Sequence, residues 1–190
     1  MNIEGFRDKV TALVKKESYA EVAQLYKAVE GSLAKEFDFD DWFQKGVCHF
    51  KLGQHQLSIE SYAHALLIEP NNFQALANQA ISLLEINREG EAFSLLSRVF
   101  KMNPHVGPAW LHLGHYFVSK VRSDGVCGVI LNGDLKKAVA ALRRAIAIMP
   151  DLGTKRMFDG SLQTYNDFIK TGEGIIPDLT IEEILTIIAT

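Results

Sequence analysis

Pro70 and Pro104 stand 34 residues apart, and each ends an apolar, helix-patterned stretch, SIESYAHALLIEPNN and EAFSLLSRVFKMNPHV. Trp42 and Trp110 are separated by 68 residues, twice that interval, with Leu76 midway. A third stretch, KKAVAALRRAIAIMPD, ends at Pro150. A fixed interval of this size constrains the fold more than any local pattern, because a repeated unit cannot bury its apolar face alone and must stack on its neighbours. Gly46, Ala80 and Gly114 recur at the same interval and let two helices approach closely. The large residues Trp42, Leu76 and Trp110 fill the space between successive helix pairs, and the prolines stop helices where the chain must turn.

In register, these stretches resemble the tetratricopeptide repeat, with Trp-x2-Leu-Gly-x2-Tyr on its first helix, Ala-x3-Phe on its second, and then a proline. The first repeat, Phe39 to Asn72, matches at Trp42, Gly46, Tyr62, Ala65 and Pro70, with Gly53 in the turn between helices. It departs at Lys45, His49 and Ser58, where Leu, Tyr and Ala are usual. The second, Phe73 to Val106, carries Leu76, Ala80, Ala92, Leu96 and Pro104. The third has Trp110, Leu113, Gly114 and Phe117, then Ala138, Leu142, Ala145 and Pro150. The resemblance implies an all-α fold, a right-handed α-solenoid of antiparallel helix hairpins, with three repeats over residues 39–152.

Residues 1–38 read as a divergent N-terminal hairpin or cap. Ile3, Phe6, Val10, Leu13 and Val14 form one helical stripe, and Tyr19, Val22, Tyr26, Val29 and Leu33 a second. The loop that follows is about two residues too long for a strict 34-residue period. Residues 153–190 are expected to hold a capping helix and a tail helix, the latter opened by a capping box from Thr180 to Glu183. Ile184, Leu185 and Ile188 make that tail apolar and in need of a surface to dock on.

In proteins of this family the first helices line a concave groove. The resemblance carries Phe43, Gln44, Val47, Phe50 and Lys51 of the first repeat to that groove, with Asn78, Ile81, Leu84 and Glu85 of the second and Leu111, His112, His115 and Ser119 of the third. The opposing reading is that the apolar members are filled by neighbouring helices or by the protein's own tail. The family's carboxylate clamp for chaperone tails is not matched: Phe43, Val47, Pro108 and His112 replace clamp residues and only Asn78 agrees. An apolar or amphipathic peptide segment is the ligand such a groove suits.

Catalytic signatures are missing from the sequence. It holds no HExxH, no paired acidic motif and no serine triad context. His112 and His115 are read as groove hydrogen-bonding groups rather than as metal ligands, so no metal and no cofactor are expected. A net charge of −3 with interspersed signs does not favour nucleic acid, and no apolar run reaches the length of a membrane span. Cys48 and Cys127 form no CxxC pair, which fits a reducing compartment, and the N-terminus lacks an apolar signal region. These features lead to the expectation of a cytoplasmic, non-catalytic adaptor or scaffold for a protein or peptide partner. The competing expectation is a homo-oligomeric assembly module, and a secretion chaperone is a variant of the first.

Pro104 to Pro150 spans 46 residues, 12 more than the period, and the surplus falls near 122–133 between the helices of the third hairpin. Gly128 and Gly133 have the spacing of a phosphate loop, but Asp134-Leu135 replaces the lysine and hydroxyl residue that such a loop requires. Val126, Val129, Ile130 and Leu131 make the insertion an expected contact surface, either for its own solenoid or for a partner.

Overall fold

Every described element is a helix. The structure, a computed structural model, describes residues 1–123 and 133–149, together with 182, 183 and 186. In order these are α1 (Ile3–Lys15), α2 (Tyr19–Leu33), a 3-10 turn (Ala34–Glu36), α3 (Phe39–Lys51), α4 (His55–Ile68), α5 (Phe73–Glu85), α6 (Glu89–Met102), α7 (Gly107–Ser123) and α8 (Gly133–Ile148). From α3 onward the period is kept: α3, α5 and α7 begin at 39, 73 and 107, and α4 and α6 at 55 and 89. The 3-10 turn takes up the extra length that separates the N-terminal hairpin from this register. The chain divides into two compact units, residues 1–95 and 96–190.

In the first unit, consecutive helices pack on one another from α1 through α5, and α3 also meets α5, the pairing of a helical solenoid. The two N-terminal stripes are buried in one cluster, in which Phe6, Val10, Val22, Tyr26, Val29 and Leu33 join Phe37 and Cys48. Phe6 stacks on Phe37 at 5.3 Å and meets the edge of Tyr26 at 5.0 Å. Tyr26 Oη donates to the Asp41 carbonyl at 2.9 Å. Arg7 forks onto Asp38 and Asp41, both at 2.6 Å, which ties α1 to the start of α3. Asp38 and Asp41 also form a reciprocal capping box, so the same carboxylates satisfy the first amides of α3.

The turns inside three successive hairpins share one geometry. Glu17, Gly53 and Asn87 all have φ between 55° and 70°. The next amide in each turn closes back five residues, Ser18 to Leu13, Gln54 to His49 and Arg88 to Leu83. This is the closure of a left-handed helix end, a conformation that glycine adopts without steric cost. Nothing lies within 4 Å of a methyl placed on Gly53, so Gly53→Ala isolates the backbone cost. It should lower stability by about 1 kcal/mol, measured as the urea midpoint followed by circular dichroism.

In the second unit α7 packs on α8. Trp110 is fully buried, its ring stacked on Phe100 at 3.6 Å, and its Nε1–H donates to the Pro104 carbonyl at 2.9 Å. A Cβ on Gly114 would come within 2.5 Å of Leu142 Cδ2, which explains the small residue there. The surplus of the third hairpin differs in form from a single 122–133 loop. Residues 122 and 123 close α7 and residue 133 opens α8. α7 has 17 residues where α3 and α5 have 13, and α8 has 16 where α4 and α6 have 14. Helix propensity explains the extension, because the SKVRS segment contains no glycine or proline to stop α7.

Candidate interaction face

In the first unit, the expected groove residues sit on α3 and α5. Phe43, Gln44, Val47 and Phe50 are half-buried on α3, and Lys51 is exposed at its end. Phe43 stacks on Phe39 at 5.5 Å and lies 5.6 Å from Tyr62, while Phe50 meets His55 edge-on at 5.4 Å. The helical spacing of 39, 43, 47 and 50 therefore yields a row of aromatic and branched side chains along one face.

On α5 the candidates separate. Asn78 is half-buried and Glu85 exposed, but Ile81 and Leu84 are only 4% and 5% exposed. These two belong to the core of the hairpins and offer almost no surface. Their repeat position specifies a direction from the helix, whereas the packing of neighbouring helices decides burial. Around them lies a buried polar chain: Ser58 Oγ donates to the Gly46 carbonyl at 2.9 Å, Ser58 and Ser82 hydroxyls are 3.1 Å apart, and Ser82 Oγ donates to the Asn78 carbonyl at 3.0 Å. Burial raises the Tyr62 phenol well above its usual value, with Ser58 and Asn78 pulling the other way.

In the second unit Leu111, His112 and His115 are half-buried on α7, and Ser119 is exposed with its Oγ donating to the Tyr116 carbonyl at 2.7 Å. Among the described residues no group of three or more His, Cys, Asp or Glu side chains could hold a metal. No described helix is long and apolar enough to cross a membrane. Cys48 is buried, its Sγ donating to the Tyr19 carbonyl at 3.0 Å, and burial pushes its thiol up to about 11, which suits a packing residue rather than a nucleophile. Val126, Val129, Ile130, Leu131, Ile184, Leu185 and Ile188 lie outside the described residues, as does most of 153–190.

One feature has no counterpart in the expected groove. Lys45 and His49, two of the departures from the repeat motif, line a cleft of about 600 Å³ between α2 and α4, with α3 as its floor. In the sequence both are only departures from the repeat motif; the signal that could have found the cleft is their polarity at positions 45 and 49, where Leu and Tyr are usual.

Known proteins agree with this geometry. The family described as tetratricopeptide repeat matches residues 39–72. Protein FlbA of Caulobacter vibrioides is 32% identical over 65 residues, a stretch that is 34% of this chain and 11% of that protein, so this chain is similar to only a small part of it. Among solved structures, YrrB, described as a TPR protein with an unusual peptide-binding site, shares the fold at a TM-score of 0.61 and 20% identity, covering 82% of this chain and 73% of that one. A MamA RS-1 double mutant has the same TM-score and identity, covering 97% and 91%. Residues 39–72 thus match the tetratricopeptide repeat, its period recurs along the chain, and the chain has the fold of YrrB, a tetratricopeptide-repeat protein.

Proposed function

We propose that the chain is a non-catalytic adaptor that holds an apolar or amphipathic peptide segment against the first-helix face of its repeats, with Phe43, Val47 and Phe50 as apolar contacts and Gln44, Lys51, Asn78 and Glu85 at the polar margin. On the second unit, by itself, the corresponding candidates on α7 are Leu111, His112, His115 and Ser119. The observation that carries the proposal is the half-buried aromatic row of α3, Phe39, Phe43 and Phe50, within the repeat that matches the family. Aromatic rings present large contact area at low entropic cost and commonly anchor recognition. The printed description of YrrB as peptide-binding supports the same use of a similar fold. Among the described residues named for this face Lys51 is the one lysine or arginine, which favours an apolar segment over an acidic tail.

The test uses a dodecapeptide selected from a random phage-displayed library on the full chain. Val47→Glu places a carboxylate in the centre of the row, at a half-buried position that can keep it solvated. Affinity for the selected peptide should fall at least about tenfold with an unchanged helical circular-dichroism spectrum. Equal affinity would remove Val47 from the site. Ile81→Glu is unsuitable for this purpose, because its buried position makes it a stability variant.

A further inference from the structure

We propose that the cleft between α2 and α4 is a second binding site, on a different face of α3 from the aromatic row, and that it takes a peptide segment through a carboxylate bound to Lys45. Four observations converge. First, Lys45 and His49 are each only 8% exposed, yet both line an open cleft of about 600 Å³, within the range of ligand-binding clefts. They lie one turn apart, so α3 delivers both to the same floor.

Second, the ion pair of Lys45 is asymmetric. Its Nζ lies 2.6 Å from Glu30 Oε1, but the Lys45 side chain is 11% exposed while that of Glu30 is 51% exposed. Glu30 can turn into water at little cost, whereas Lys45 has no such freedom and must keep an anion or lose most of its solvation. Glu30 is thus a displaceable counter-ion. An ammonium has three donors, and beside Glu30 the Lys45 Nζ lies over the face of Trp42, 4.9 Å from the ring centroid.

Third, the rest of the lining is suited to a peptide. His49 Nδ1 and Gln54 Oε1 are 2.7 Å apart, a contact that ties the imidazole to the start of α4. Gln24 and Ser61 add polar groups, and Leu52 and Leu57 add apolar surface. Trp42 is held in place by His64, stacked on it at 4.2 Å.

Fourth, the lining charges balance, Lys27 and Lys45 against Glu30 and Glu60. With Glu30 turned away, Lys27 and Lys45 face Glu60 alone, so one incoming carboxylate restores the balance whereas a dianionic phosphate would leave an excess negative charge.

The experiment titrates the full ¹⁵N-labelled chain with a mixed-flank library of acetylated, amidated nonapeptides centred on Glu, against the same library centred on Gln and against sodium acetate. Trp42 and Trp110 supply two indole N–H signals, one lining the cleft and one buried against Phe100 and bonded to Pro104. The Trp42 signal should move with the Glu library at concentrations at least about tenfold below those needed for the Gln library or acetate, while the Trp110 signal stays in place. Glu30→Gln should strengthen the response several-fold by removing the competitor, Lys45→Met should abolish it, and Val47→Glu should leave it unchanged. Lys45→Met puts an apolar side chain where the repeat motif has Leu, and its spectrum reports folding directly. Equal responses to Glu and Gln would overturn the proposal, as would a Lys45→Met response like that of the wild type or a Glu30→Gln response that is not strengthened. Acetate acting as well as the peptides would overturn the peptide assignment.

Discussion

Trp110→Ala will lower stability by about 3–5 kcal/mol, the largest single effect expected in this chain. The indole is completely buried, so truncation removes its packing and leaves a cavity that the helices can only partly close. Its stack on Phe100 at 3.6 Å and its bond to the Pro104 carbonyl join the end of α6 to the start of α7. Trp110→Phe separates the two contributions: the ring contact persists in part, the hydrogen bond is lost, and the Pro104 carbonyl is left without that donor. Its cost should be about 1–2 kcal/mol. Chemical unfolding followed by circular dichroism measures both. A Trp110→Ala loss below about 1 kcal/mol would show that the residue does not hold the joint.

Gly46→Val should cost about 2–3 kcal/mol through overpacking. A Cβ at position 46 would lie 2.5 to 2.9 Å from three ring atoms of Tyr62, and Tyr62 is itself only 1% exposed and cannot swing away. Helix propensity acts in the opposite direction, since any residue but proline is a better helix former than glycine. Gly31→Ala supplies the contrast, because nothing lies within 4 Å of its added methyl on α2. That variant should gain about 0.5–1 kcal/mol. Opposite signs from two helical glycines, measured by the same denaturant midpoint, would attribute the difference to the close approach of α3 and α4. A neutral Gly46→Val would contradict that packing.

The period made the fold legible. Pro70, Pro104, the paired tryptophans and Gly46 each state a requirement of stacked hairpins, and Gly53 states the left-handed turn that joins α3 to α4. The N-terminal hairpin was legible through its stripes, although the 3-10 turn that offsets it by two residues appears in sequence only as excess length. Burial on α5 was not legible. Ile81 and Leu84 have the same spacing as groove residues, and nothing in a helical pattern distinguishes a side chain facing solvent from one covered by a neighbouring helix. The third hairpin was partly legible: the surplus was visible as a count, while the greater length of α7 and α8 relative to their counterparts was not. Lys45 and His49 were visible as departures from a motif, but a departure names no geometry until α2 and α4 provide the walls.

The central claim, that the first-helix face is where a protein segment binds, is tested most directly by photo-crosslinking. The dodecapeptide selected on the full chain is resynthesised with a central photoreactive leucine, irradiated in complex, and the attachment sites are mapped by mass spectrometry. Attachment at Phe43, Val47, Phe50 or Asn78 is the predicted result. Attachment confined to Leu57, Leu67 and Ile68, the exposed apolar residues of α4, would contradict it.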